Sequence, residues 1–220
     1  MGYEPIDAEY EMQMDAIYDG VLEQYYNSDA YHEDISRGIE EFIDERQRSF
    51  YLEKPDVAKP AFDLLGQAGE LFNMGQYGAA QVFAGAAAEL TFGDALLKPM
   101  VYGLAHSDTV APVLAGIIEN ARSVHKFKAL LVAIVSEFSG IDLTANVASL
   151  SNRSLWSYVD DVRRQRNAIL HGDGLMKVNR EDAELALTVA SELFHKVLPS
   201  VLAKIGLHLH DATVCSKSHT

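Results

Sequence analysis

Apolar residues recur along this chain at intervals of three and four, the spacing of one face of a helix. Tyr10, Met14, Ile17, Val21 and Tyr25 make one such stripe. Asp7 stands where an N-cap acceptor belongs, so a first helix is expected from Asp7 to about Tyr26. Asn27, Ser28 and Asp29 read as a turn. A second helix is expected from Ala30 to Leu52, with Ile35, Ile39, Phe42 and Phe50 on its apolar side. Pro55 and Pro60 then interrupt the pattern. A third helix, Ala61 to Met74, ends at Gly75. The stretch from Gln81 to Leu90 is dense in alanine, which lets neighbouring helices approach closely. It is expected to form a central helix ending near Lys98-Pro99.

Two further helices are expected, Val110 to Ala121 and Val124 to Phe138, the second closed by Ser139-Gly140. Asp142 to Ser154 is polar and reads as a loop, whose Ser151, Asn152 or Ser154 caps the next helix. That helix runs to His171 and is ended by Gly172-Asp-Gly174, since glycine takes the left-handed conformation cheaply. Asn179, with Asp182 three residues on, caps a last helix reaching about Ile205. No stretch sustains the period-two alternation of a strand. The expected fold is all-α, an antiparallel helical bundle with two extra N-terminal helices. The expected divisions are a helical extension over 1–54, the bundle over 55–207 and a flexible tail over 208–220.

Composition and charge sharpen this picture. With 48% hydrophobic residues the chain is of the globular type, and 220 residues bury a sizeable core. Net charge is −14. It is concentrated early: Met1 to Phe50 carries 14 acidic residues against Arg37, Arg46 and Arg48, a net of −11. Seven of the ten tyrosines lie within the first 51 residues. An acidic chain is a poor generic binder of nucleic acid, because phosphate binding draws on Lys and Arg. Cys215 is the only cysteine, and the start shows no basic, apolar leader pattern. These features predict a reducing, cytoplasmic setting, no intrachain disulfide and no membrane partner.

The chemistry of interest is Arg166-Asn167-Ala168-Ile169-Leu170-His171-Gly172. Arginine binds phosphate and histidine moves protons near neutral pH. On an ideal helix Leu155, Val159, Val162, Ile169 and Leu170 cluster on one face with Arg166 among them. A charge there needs a carboxylate, an interface or an anionic ligand. Glu89, in the alanine-rich helix, is the expected supporting partner. Asn167 and His171 share an adjacent polar face four residues apart, with Arg164 and Asp160. Arg166 and His171 point about 140° apart, so one helix does not bring them together. The structural alternatives are that His171 merely caps the helix and that Arg166 is a plain ion pair. His208 and His210 with Asp211 suggest no specific metal site, and His125, Lys126 and Lys128 make a short basic patch. No glycine-rich phosphate loop occurs.

The Arg166-Asn167-x3-His171 set, on a late helix of a helical bundle followed by a long amphipathic helix, resembles the signature of the HEPN superfamily. The resemblance covers about Ala61 to Leu207. It implies a dimeric, metal-independent and cofactor-free endoribonuclease of the toxin or defence type. The partners it implies are RNA, a second copy and an antitoxin or defence-system protein. His171 would then serve as general base or acid, Arg166 would bind the scissile phosphate, and Asn167 would orient one of them. Attack by the RNA 2′-hydroxyl would leave a 2′,3′-cyclic phosphate. Arg163 and Arg164 are candidate RNA contacts. The superfamily also includes catalytically silent members, which implies a binding or assembly module as the alternative. A third reading makes the acidic N-terminal helices a mimic of nucleic acid.

Overall fold

A computed structural model describes residues 14, 17–22, 24, 26, 28–105, 107, 109–120, 132, 133, 135, 136, 139–145, 153–171 and 178–216. The described chain is helical except for one two-stranded hairpin. Its helices are α1 (Asp29–Glu53), α2 (Lys59–Asn73), α3 (Tyr77–Leu90), α4 (Lys98–Leu104), α5 (Val110–Asn120), α6 (Leu155–Leu170), α7 (Arg180–Glu192) and α8 (Leu198–Lys204). The strands are β1 (Leu207–His210) and β2 (Thr213–Ser216). The chain divides into two compact units, Met1–Ile43 and Asp44–Thr220.

In the larger unit α3 is the hub, packed against α2, α6 and α7. Small residues make this possible: Ala80, Ala84, Ala87 and Ala88 are buried along it. Tight turns explain the antiparallel course. Gly75, at φ 76°, closes α2 in the left-handed region that glycine adopts without a Cβ clash. Asn179 opens α7 with a capping box, its side chain accepting from Asp182 N–H while Asp182 accepts from the Asn179 backbone.

The helix begun by α3 does not stop near Pro99. It widens into a π-helical turn over Thr91–Leu97 and continues as α4, with Pro99 in the first turn. The same device recurs in the last helix, where a π turn over Leu193–Val197 precedes Pro199 in α8. Proline has no N–H to give and crowds the preceding turn; a wide turn just before it relaxes both problems. The loosened backbone is also used: Tyr51 O–H donates to Ala95 O at 2.6 Å. Burial pushes the Tyr51 hydroxyl well above the usual tyrosine pKa. The continuous helix Arg180–Lys204 is long and apolar enough to cross a membrane by length and composition alone. In the structure its apolar side, including Val189, Leu193, Val197 and Val201, is buried within the bundle.

Two expectations are corrected. Residues 208–216 are not a loose tail. Leu207↔Ser216 to His210↔Thr213 pair antiparallel, across a turn at Asp211 and Ala212, both at positive φ. Leu207 and Val214 are buried, and Val214 N–H donates to Pro55 O at 2.8 Å. Four alternating residues were too short to show a strand period, and Asp-Ala is not a usual hairpin dipeptide. The end of α1 also belongs to the larger unit, because Gln47, Phe50 and Tyr51 are buried there and Phe50 lies 4.8 Å from the Tyr102 ring.

In the smaller unit, residues 14, 17–22, 24 and 26 are helical, and Ser28 Oγ accepts from Tyr31 N–H at 3.2 Å as α1 begins. The expected cap at Asp7, Tyr10 and Tyr25 of the first stripe, most of the helix Val124 to Phe138, the basic patch of His125, Lys126 and Lys128, the caps Ser151 and Asn152, and Gly172 to Gly174 lie outside the described residues.

Candidate functional site

Helix α6 starts where a serine permits it. Ser154, in extended conformation, accepts from Ser157 N–H at 3.2 Å. Leu155, Trp156, Tyr158 and Val162 are buried, and Trp156 packs 5.2 Å from the Phe92 ring at the π turn. This anchors the N-terminal half of α6 on the far end of α3. The motif occupies the other half.

There α6 crosses α3 at Gly85. A Cβ on Gly85 would lie 3.2 Å from Arg166 Cδ, 3.3 Å from Arg166 Cβ and 3.4 Å from Val162 Cγ1. The aliphatic stem of Arg166 therefore lies on bare backbone, and its Nη1 reaches Glu89, one turn further along α3. Arg166 and Glu89 side chains are 23% and 35% exposed, so solvent sees part of the pair. Arg166 Nε is enclosed and, among the described residues, has no hydrogen-bond partner. Gln81, one turn before Gly85 and fully buried, donates to Gln165 Oε1. Gln81, Gly85 and Glu89 thus form the α3 side of the seam at four-residue spacing.

Expected site residues separate into three groups. Arg166 and Glu89 come together, as the need of a charge on an apolar stripe requires. Asn167 and His171 are exposed one turn apart, and His171 N–H closes the helix on Asn167 O at 2.9 Å. Among the described residues no side-chain hydrogen bond joins them to Arg166. Arg163 and Arg164 are engaged within their own helix: Arg163 pairs with Asp160 at 3.3 Å, and Arg164 with Asp160 at 3.7 Å and with Asp161. Arg153, before the helix, also pairs with Asp161 at 2.6 Å, and this hydrogen bond raises the already high arginine pKa.

Sequence reasoning missed Gln81, Gly85 and Gln165. Their signal was available, since Gln81, Gly85 and Glu89 repeat every fourth residue, the interval of one helix face. Asp161 was missed as well, though its three-residue offset to Arg164 marks an ion pair. His210 Nε2 lies 3.6 Å from Asp211 Oδ2 at the hairpin turn, remote in sequence from the motif. Among the described residues no group of three His, Cys, Asp or Glu side chains converges as a metal site.

Comparison with family models, with curated proteins and with solved structures gave no match.

Proposed function

We propose that this chain is a metal-independent endoribonuclease of HEPN type, acting on single-stranded RNA as a homodimer. The observation that carries the reading is the end of α6, where exposed Asn167 and His171 follow an arginine locked against α3 by Gly85 and Glu89. A fixed arginine suits phosphate binding, because its orientation costs little at the moment of reaction. With one Nη1 donor on Glu89 and Nε enclosed, Nη2 and the second N–H of Nη1 carry the donors left for phosphate. His171, exposed at a helix end, is accessible to a 2′-hydroxyl and serves as general base or acid. Arg166 and His171 leave the helix in different directions, and a two-fold pair of protomers removes the conflict: the arginine of one serves with the histidine of the other.

A second reading is favoured by a specific observation. Arg153, Arg163, Arg164 and Arg166 are all committed to carboxylates, which suits a catalytically silent HEPN-like binding or assembly module.

Purified protein incubated with unstructured RNA in EDTA separates the two. The expected result is cleavage with 2′,3′-cyclic phosphate ends, falling by about 10²-fold or more in His171→Ala. His171 is exposed, so the variant keeps its fold and circular dichroism checks this. Cleavage by His171→Ala at the wild-type rate would remove His171 from the mechanism. An inert wild type on varied RNAs would select the silent module. A monomeric mass by light scattering, with activity linear in protein concentration, would sink the shared site.

A further inference from the structure

The unit Met1–Ile43 holds 12 acidic residues against Arg37 as its single lysine or arginine, a net of −11, while the remainder of the chain carries only −3 of the total −14. The division between compact units is thus also a division of charge. Within this unit every residue from 32 to 42 of α1 is exposed, about three turns of helix open on all sides. Such a helix is marginal in water without packing.

Its apolar positions are nevertheless ordered as a docking face. Ile35 and Ile39, four residues apart, are 47% and 50% exposed. Ile17 and Val21 in the preceding helical stretch, at the same interval, are each 60% exposed. Gly38 lies on the same side of α1, about 60° round from Ile35. A Cβ at Gly38 would meet nothing within 4 Å. Glycine inside a helix costs roughly 0.5–1 kcal/mol relative to alanine, and no neighbour among the described residues needs the space. Asp34, paired with Arg37 at 2.6 Å, and Glu41 border the stripe.

We propose that this N-terminal unit is a docking arm for a cationic amphipathic helix of another protein. Ile35 and Ile39 would take the partner's apolar face and the bordering carboxylates its lysines or arginines. Charge decides the occupant. A second copy would bring the same net charge of −11, a like-charge repulsion that physiological salt only partly screens. Nucleic acid and anionic lipid repel the arm for the same reason, and neither uses an aliphatic stripe bordered by carboxylates.

The test uses the full chain and a fluorescent synthetic peptide of about 18 residues, with leucine at helical a, d and e positions and lysine elsewhere. Two controls share its leucines: one carries glutamate for lysine, the other has the same composition scrambled to lose the stripe. The expected result is saturable binding of the lysine–leucine peptide, at least tenfold weaker for the scrambled peptide and undetectable for the glutamate peptide. The double variant Ile35→Ser/Ile39→Ser keeps every charge and is expected to lose at least tenfold. Both positions are exposed, so an unchanged thermal transition of the larger unit verifies the fold. Equal binding by wild type and the serine variant would reduce the effect to unspecific charge and overturn the proposal. So would a wild-type dimer by light scattering that becomes monomeric in the serine variant, since the stripe would then belong to a second copy. None of these outcomes depends on RNA cleavage.

Discussion

Gly85 in α3 and Gly38 in α1 are both mid-helix glycines, and both helices carry carboxylates within a turn. At Gly85 an added Cβ meets Arg166 and Val162 within 3.2–3.4 Å; at Gly38 it meets nothing within 4 Å. Glu89 beside Gly85 holds Arg166, whereas Met1–Ile43 has one arginine for 12 acidic residues. The same residue types therefore serve opposite ends. In the seam, small size and charge are consumed inside the molecule, leaving a rigid arginine. In the arm one arginine, paired with Asp34, stands against 12 acidic residues, and the proposed partner would draw on that excess. A glycine or a carboxylate in a helix says little until its neighbour is known.

The largest expected effect comes from closing the seam. Gly85→Val puts two methyl groups where the Arg166 stem and Val162 already stand at the contact limit. Overpacking of this kind costs about 2 kcal/mol, lowering the melting temperature by roughly 5 °C in a chain of this size. Gly38→Val is expected to leave the transition of the larger unit unchanged. Equal effects at both positions, measured by differential scanning calorimetry, would erase the distinction between seam and arm.

A smaller effect follows from the ion pair. Glu89→Ala strands a guanidinium whose Nε is already enclosed and, among the described residues, without a partner. Because the pair is a quarter to a third exposed, water takes over part of the lost interaction, and the expected cost is about 1 kcal/mol. Arg166→Met in the Glu89→Ala background is expected to restore most of it, since the stem keeps its packing on Gly85. A double-mutant cycle with no coupling energy would mean that the two side chains meet without stabilising the seam.

The helices were legible because their signals are local. A 3.6-residue period marks α1 and α6, alanine density marks α3, and Asn179-Asp182 marks a start that the capping box reproduces. The Arg166–Glu89 pair was legible for a different reason: a charge on an apolar stripe has few ways to be satisfied. What escaped depends on contacts distant in sequence. Pro99 reads as a stop unless the π turn before it is known. The hairpin of β1 and β2 is held by Pro55 O and Asp56, some 160 residues away along the chain, through Val214 N–H and Thr213 Oγ1. The commitment of Arg163 and Arg164 to Asp160 and Asp161 was readable from spacing, yet counting arginines as RNA contacts passed over it.

The smallest expected effect is the most discriminating for the arm. Gly38→Ala adds one methyl group to an exposed helix, and helix propensity alone predicts a gain of about 0.5–1 kcal/mol in local stability. That corresponds to a two- to fivefold rise in amide hydrogen-exchange protection over the first turns of α1, with no change in the larger unit. If the missing side chain exists to admit a partner's backbone, the same variant binds the lysine–leucine peptide a few-fold more weakly, although its helix is better formed. Stability and affinity would then move in opposite directions. Should affinity rise together with helicity, Gly38 would be an ordinary weak point in the helix, and the docking face would rest on Ile35 and Ile39 without a close backbone approach between them.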